Sequence, residues 1–336
     1  MAKLNLITGA TGQLGSHIAE LLAERGERVR ALVRPSSDTS FLKGRGVELV
    51  PGDLHDAESL KRAFDGADIV YHCAARVADW GAWSQFETET VTATRNVLDA
   101  CRAAKVGRLL HVSSISVYGR PRRGRLITED TPLGRRFMWW DYYPRAKLFA
   151  ENLVRQYDGA WTIVRPSWIY GPRDRISMPR VVPVLRSGKA PIIGSGDNLL
   201  NIIFAGDVAA GAILAANHPG AVGQVYNLSS RGEVTQRKLV DTLCDALGLP
   251  RVTKRVPFVL AWQMAFWSEL FAKLLMKKKP PRITRRVIYL IGRPPLFSID
   301  KARTELGWEP RVPIEEGVKR TLEWLFAEEK KQQAAS

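Results

Sequence analysis

Thr8-Gly9-Ala10-Thr11-Gly12-Gln13-Leu14-Gly15 is the stretch whose reading decides the fold. Upstream, Leu4, Leu6 and Ile7 read as a short buried strand. Downstream, Ile18, Leu21 and Leu22 recur at the i, i+3, i+4 spacing of one helix face. A glycine-spaced turn between a strand and a helix aims the helix's unpaired N–H groups, and the positive end of its dipole, at an anion. Gly9 permits the tight turn, Gly12 lets backbone approach a diphosphate, and Gly15 permits close helix–strand packing. A lone glycine pattern says little, because such turns occur throughout α/β domains. Its place between a strand and a helix gives this one weight.

Outward from the turn, strands and helices alternate. Val29–Val33, Val47–Val50, Ile69–His72, Arg108–Val112 and Trp161–Val164 read as further strands, with helical stretches from Ser59 to Phe64 and from Thr92 to Ala104. This alternation predicts an α/β fold with a doubly wound parallel sheet, right-handed crossovers and ligands at the carboxyl ends of the strands. Beyond Pro172, prolines and basic residues break the pattern, and shorter, irregular segments are expected. Val225–Leu228 again reads as a sheet strand, and Phe297–Asp300 as a short return. The expected division is a dinucleotide-binding domain over 1–172, with returns near 204–228 and 296–304. A smaller, discontinuous C-terminal substrate lobe then takes 173–203, 229–295 and 305–327. No internal repeat is evident. The polar tail from Glu328 to Ser336 is expected to fray.

Composition bounds the class. A chain of 336 residues with 45% apolar and 25% charged residues is an ordinary globular protein of about two domains. Cys73, Cys101 and Cys244 lie far apart with no Cys-x-x-Cys pair, so a reducing compartment and no metal site are expected. Met1-Ala2-Lys3 runs straight into the first strand without the apolar region of a signal peptide, and a cytoplasmic location is the expectation. The formal charge of +16 is unusual. It admits an acidic partner surface, an anionic cofactor or substrate, or a generally basic surface. Nucleic-acid binding is not expected, for neither a basic helix nor a basic sheet face studded with aromatics is visible.

The residue that selects the nucleotide lies about 20 positions past the glycine turn, where an acid would bond a ribose 2′-hydroxyl. Here the second strand ends in Val33-Arg34-Pro35-Ser36-Ser37. A guanidinium at that place favours a 2′-phosphate, and serine hydroxyls add donors, so NADP(H) is preferred and NAD(H) is the alternative. A solvated arginine at a strand end is the plainer account of Arg34. Asp53, in Gly52-Asp53-Leu54 after the third strand, is placed to accept from an adenine amino group, or else to cap a helix.

Tyr143-Pro144-Arg145-Ala146-Lys147 puts a phenol and an ammonium at i and i+4, on one face if the segment is helical. A phenol titrates near pH 10, and a cation beside it lowers that value. That is what a general acid/base for a carbonyl/alcohol pair requires. The fifth strand ends in Val112-Ser113-Ser114-Ile115-Ser116-Val117-Tyr118-Gly119, and one such serine can share the charge on a substrate oxygen. Turn formation after a strand is the simpler use of those serines.

With these stretches the chain resembles, over nearly its whole length, the extended short-chain dehydrogenases/reductases. His72-Cys73-Ala74-Ala75 and Arg165-Pro166-Ser167-Trp168-Ile169-Tyr170-Gly171-Pro172 complete the match. The resemblance implies a Rossmann-type fold and a homodimer. It implies that Tyr143 is the proton donor/acceptor, that Lys147 lowers its pKa and holds the nicotinamide ribose, and that Ser114 orients the substrate oxygen. Cofactor contacts would come from Thr8, Gly9, Thr11, Gly12, Gln13, Leu14, Gly15, Arg34, Ser37, Asp53 and Leu54. Further along the chain they would come from Cys73, Ala74, Ala75, Val112, Tyr143, Lys147, Pro166 (bordering the nicotinamide) and Ile169. One departure stands out. Relatives carry Asn-Val-x-Gly-Thr after the fourth strand, where this chain has Thr90-Val91-Thr92-Ala93-Thr94.

The nucleotide-sugar branch of the family places an arginine at the position held here by Leu200, so an epimerase or dehydratase with bound NAD is the runner-up reading. The other branch resembles 3β-hydroxysteroid dehydrogenases and bacterial reductases of long-chain 2-alkyl-3-keto acids. The loop Val77-Ala78-Asp79-Trp80-Gly81-Ala82-Trp83 and the aromatics Phe137-Met138-Trp139-Trp140 point there. Val77, Trp80, Trp139, Trp140 and Ser116 are therefore expected to line an apolar site for a hydrophobic ketone or alcohol, although such aromatics also serve as core. The stretch 256–286 is apolar with a basic flank. It suits an interfacial helix against anionic lipid, or a lobe helix buried against its neighbours, and the buried reading is preferred. A non-catalytic membrane-surface NADP-binding protein completes the alternatives.

Overall fold

The computed structural model describes residues 2–121, 125–138, 140–277, 280–281 and 283–335. In chain order its strands are β1 Leu4–Thr8, β2 Arg28–Val33, β3 Val47–Pro51, β4 Ile69–His72, β5 Arg108–Val112, β6 Leu126–Ile127 and β7 Trp161–Pro166. They continue with β8 Trp168–Tyr170, β9 Ile192–Ile193, β10 Ile202–Phe204, β11 Gln224–Leu228, β12 Arg255–Val256 and β13 Leu296–Phe297. The helices are α1 Gln13–Glu24, α2 Ala57–Phe64, α3 Trp83–Phe86, α4 Ala93–Ala103, α5 Tyr142–Arg155 and α6 Met178–Arg186. After them come α7 Ala205–Asn217, α8 Gln236–Leu247, α9 Phe258–Leu274, α10 Arg285–Gly292, α11 Asp300–Leu306 and α12 Ile314–Ala335.

Seven strands form one parallel sheet in the order β11-β7-β5-β4-β1-β2-β3. The order runs outward in both directions from β1 and β4, so the crevice between their carboxyl ends is the switch point where such sheets bind ligands. A parallel sheet covered on both faces needs apolar residues on both, and β1 is buried at every position. Alternate side chains feed two cores. Ile7, Ala31, Tyr71, Leu110 and Val164 pack with α1, α7 and α11; Leu6, Leu32, Val70, Leu109 and Ile163 pack with α2, α4 and α5.

The rest of the chain builds smaller cores. Tyr170, Met178, Val182, Leu239, Leu243, Val318 and Leu322 join α6, α8 and α12, while Ala261, Ala265 and Ile288 join α9 to α10. This region is largely helical, not irregular as its prolines suggest. Pro179 sits in the first turn of α6 and Pro257 at the N-cap of α9, places where a missing N–H costs nothing. Phe297 does form a strand, but β13 pairs with β6 outside the large sheet, and the chain returns to the main core through Ile299 and α11. The tail does not fray: α12 continues to Ala335, because Glu328 to Ala335 are strong helix formers with a Lys331–Glu328 pair of 2.8 Å.

Helix α9 departs from its preferred reading. Its buried residues are Ala261, Ala265, Glu269 and Ala272, whereas Val259, Met264, Trp267, Phe271 and Leu274 are more than half exposed. Small residues let α9 lie on its neighbours, and the large apolar ones face outward. Among the described residues no helix is long and apolar enough to cross a membrane.

Candidate active site

The glycine turn has the shape a dinucleotide needs. Gly9 has φ +73, and its carbonyl accepts from Gly12 N at 3.0 Å. A Cβ on Gly9 would come within 2.8 Å of Ala74 N, and one on Gly15 would overlap the Gly9 carbonyl. Both positions are closed to a side chain for steric reasons. Helix α1 begins at Gln13 without a side-chain cap, and its first turn contains no acid, which leaves its N–H groups free for a diphosphate. These residues fit a nicotinamide dinucleotide. Around the crevice, Cys73-Ala74-Ala75 follow β4, Val112 ends β5, Pro166 ends β7, and Ile169 in β8 packs on the main core.

At the adenine end, Arg34 follows β2 and is exposed, and its side chain makes no hydrogen bond or ion pair to the described residues; the half-buried Ser37 donates its N–H to the Arg34 carbonyl at 2.9 Å. The acid nearby in sequence is committed elsewhere: Asp38 accepts from Ser40 and pairs with Arg175 at 2.9 Å. Asp53 does not cap α2. That task falls to Asp56, which accepts from Glu58 N, while Asp53 accepts from His55 N at 2.9 Å. Leu54 is held through its carbonyl by Asn96 Nδ2 at 2.8 Å.

Tyr143 and Lys147 stand one turn apart on α5. At its N-cap, Asp141 accepts from Met138 N at 2.9 Å and pairs with Arg120 at 3.2 Å, which ties the preceding loop to the helix start. Lys147 is buried and donates to the Val112 carbonyl at 2.8 Å, and burial lowers its pKa to about 8. The Tyr143 hydroxyl lies beside the Ser114 side chain. Burial raises its pKa, opposed first by the Arg286 charge and then by Ser114. The cation that favours the phenolate here is therefore Arg286, whose guanidinium lies 4.6 Å from the centre of the Tyr143 ring. Ser114 also accepts from Ser116 N at 3.1 Å, so the serine run is both a turn and part of the site; Ser116 Oγ is buried with no partner among the described residues.

Beneath these groups lies a buried network that sequence reasoning missed. Glu151, one further turn along α5, accepts from Ser113 Oγ at 2.6 Å and from Arg165 at 2.5 and 3.1 Å. Arg165 also donates to Tyr118 Oη at 2.6 Å, which donates to Asn227 at 2.8 Å. It ties α5 to β5, β7 and β11, so the height of Tyr143 above the sheet is set by charge pairing as well as by apolar packing. A second buried link joins Thr8, His72 and Thr94 through distances of 2.8 and 3.0 Å; burial, then Lys147, lowers the His72 pKa to about 3 and keeps the ring neutral. Thr90, at the family's asparagine position, is buried in a π-helical turn, with its hydroxyl accepting from Arg76 N at 3.1 Å.

The substrate side combines apolar residues, the expected Val77 among them, with charged ones. Val77, Ala78, Asp79, Tyr143, Ile176, Arg180 and Arg286 enclose a space of about 40 Å³. Trp80 turns away from it, donating to the Lys277 carbonyl at 2.9 Å, and Trp140 stacks under the Arg285 guanidinium at 3.8 Å. Both aromatics brace the α9–α10 unit, because their flat faces suit guanidinium and lysine stems. Trp139 lies outside the described residues. Asp79, Arg180 and Arg286 had no motif to announce them, since α6 and α10 are remote in sequence. Among the described residues, no cluster of acids, histidines and cysteines could hold a metal ion.

Comparison with known proteins agrees with this geometry. Residues 5–229 match the NAD dependent epimerase/dehydratase family. A 2-alkyl-3-oxoalkanoate reductase of Stenotrophomonas maltophilia is 34% identical over 94% of this chain and 97% of its own. One from Shewanella oneidensis is 33% identical over 94% and 84%. The crystal structure of gox2253 superposes with a TM-score of 0.79 at 30% identity, covering 97% of this chain and 98% of the other. The chain belongs to the NAD dependent epimerase/dehydratase family, and with its crevice, glycine turn and relatives it is an NAD(P)-dependent oxidoreductase of the extended short-chain dehydrogenase/reductase type, in the branch resembling 3β-hydroxysteroid dehydrogenases.

Proposed function

We propose that the protein is an NADP(H)-dependent reductase that interconverts the carbonyl and alcohol of a hydrophobic 3-keto acid. The observation that carries the reading is the placement of Tyr143 on α5 beside Ser114 at the carboxyl edge of the sheet, one helical turn from the buried Lys147, which donates to the Val112 carbonyl. A nicotinamide dinucleotide held in the crevice would supply hydride-transfer chemistry at the carbonyl carbon. Tyr143 gives the carbonyl oxygen its proton in reduction and recovers it in oxidation, with Ser114 sharing the charge on that oxygen. Lys147 and Val112 would hold the nicotinamide ribose end, and Pro166 would border the ring. Arg34 supports the preference for a 2′-phosphate, because it is a cation with no partner among the described residues, beside an acid already neutralised by Arg175. The named relatives reduce 2-alkyl-3-oxoalkanoates, and that chemistry suits this site. A nucleotide-sugar substrate fits less well, since Leu200 is buried in the α6–α8–α12 core and offers no diphosphate clamp.

Replacing Tyr143 by Phe tests the reading. Turnover should fall on the order of 10²- to 10⁴-fold, the usual contribution of a positioned acid/base, while NADPH affinity stays within a factor of about two. Unchanged turnover refutes the assignment of Tyr143.

A further inference from the structure

Directly over Tyr143 the structure places a charged cluster contributed by three separate segments. Asp79, in the loop after β4, pairs with Arg286 of α10 at 3.2 Å and with Arg180 of α6 at 3.6 Å. The two arginines and one carboxylate leave one positive charge unbalanced within this cluster. Arg286 and Asp79 are partly sheltered, at 25% and 20% exposure, so their charges are less screened than surface ones, whereas Arg180 at 55% stands at the rim. Arg286 is not free to drift: its neighbour Arg285 is buried and bonds Glu269 of α9 through N at 2.7 Å, Nε at 2.7 Å and Nη2 at 2.6 Å. That pair fixes α10, and with it the guanidinium that stacks on Tyr143.

The space under the cluster is about 40 Å³, room for a few waters and far below the roughly 300–1,000 Å³ of a ligand pocket. No alkyl ketone enters it while Asp79 bridges the two arginines. A ligand reaching Tyr143 must part the loop at Asp79 from α6 and α10, and the arginines then lose their counter-ion. The group that best replaces it is another carboxylate, which a guanidinium holds in a forked, charge-assisted pair.

Resting on the reductase reading, we infer that Arg286 and Arg180 form a carboxylate subsite kept closed by Asp79, which selects substrates carrying an acid group two bonds from the reacting carbon. Substrate carboxylate and Asp79 exchange on the same arginines, so opening and recognition are one event. The loop at 77–83 acts as a latch rather than an apolar wall. The alkyl parts of the substrate lie toward Val77 and Ile176, the apolar members of the same lining.

The experiment compares 2-ethyl-3-hydroxyhexanoate with its methyl ester in the oxidative direction, where the acid does not decarboxylate before reaction. In each turnover the alcohol carbon loses hydride to NADP⁺ and its hydroxyl proton goes to Tyr143. The wild type should show a KM for the acid roughly ten- to a hundredfold below that for the ester, the range of charge-assisted hydrogen bonds. Arg286→Gln should erase that ratio, Arg180→Gln should reduce it, and Asp79→Asn should lower KM for the acid further by removing the competing carboxylate. Because any effect of Arg286 on the Tyr143 phenol acts on both compounds, it cancels in the ratio. Arg286→Lys, which keeps the charge, should restore part of the preference and controls for misfolding. Binding of unreactive 2-ethylhexanoate to the NADP⁺ complex gives a readout independent of turnover. An acid-to-ester ratio near one in the wild type, or a ratio unmoved by Arg286→Gln, overturns the subsite and leaves the reductase standing. Absent turnover with Arg286-dependent binding of 2-ethylhexanoate upholds the subsite and refutes the reductase reading.

Discussion

Replacing Arg34 by Gln isolates the choice of cofactor from the chemistry. Arg34 stands exposed at the carboxyl end of β2, and the neighbouring acid, Asp38, is already engaged with Ser40 and Arg175. Its guanidinium would therefore meet a 2′-phosphate without an internal competitor. In a water-exposed setting each unit charge pair at 4 Å contributes about 1 kcal/mol, so a phosphate carrying nearly two charges gains about 2 kcal/mol. This corresponds to roughly a 10- to 30-fold preference for NADPH over NADH. The substitution should raise the NADPH dissociation constant by that factor and leave NADH within about twofold, both measured by quenching of protein fluorescence. Raising the salt toward 0.5 M should shrink the wild-type preference and leave the variant unaffected, because exposed charges are screened. If both dissociation constants rise together, Arg34 holds the loop after β2 rather than the phosphate. If neither moves, the 2′-phosphate argument fails.

Lys147 has a pKa pushed down by burial to about 8 from an ordinary 10.5. The unfolded chain therefore binds more protons between those values, so stability gains from this group as pH rises from about 8 toward 10.5. Grip on the cofactor moves oppositely: NADPH affinity should weaken as pH rises through about 8, and Lys147→Met should abolish that step. A titration followed by NADPH fluorescence checks this, and an affinity flat to pH 9.5 refutes it. The outward face of α9 is a proposed contact with anionic lipid, supported by exposed Val259, Met264, Trp267 and Phe271. The protein should sediment with vesicles rich in phosphatidylserine at low salt, and Trp267→Glu with Phe271→Glu should release it; no sedimentation at low salt refutes the contact.

Much of the site was legible because it depends on local rules. The tight turn at Gly9 and the close approach at Gly15 are backbone constraints, and a residue type answers each directly. Tyr143 and Lys147 share a helix face because four residues make about one turn, and the strand runs mark the sheet because both of its faces are covered. Proline reads as a breaker along the sequence, yet Pro179 and Pro257 stand where helices begin.

By itself the sequence determined the sheet and the glycine turn and named Ser114, Tyr143, Lys147 and Arg34 as candidates, since each follows from periodicity, spacing or a single residue's chemistry. Tertiary structure alone decided what surrounds them. Glu151 pairs with Arg165 across two elements, and Asp79 meets Arg180 and Arg286 from positions about 100 and 200 residues apart. Nothing in local periodicity encodes such pairings, because Coulomb attraction depends on distance in space and not on separation along the chain. The same holds for α9, whose apolar residues read as core until packing showed that its alanines, not its aromatics, face inward.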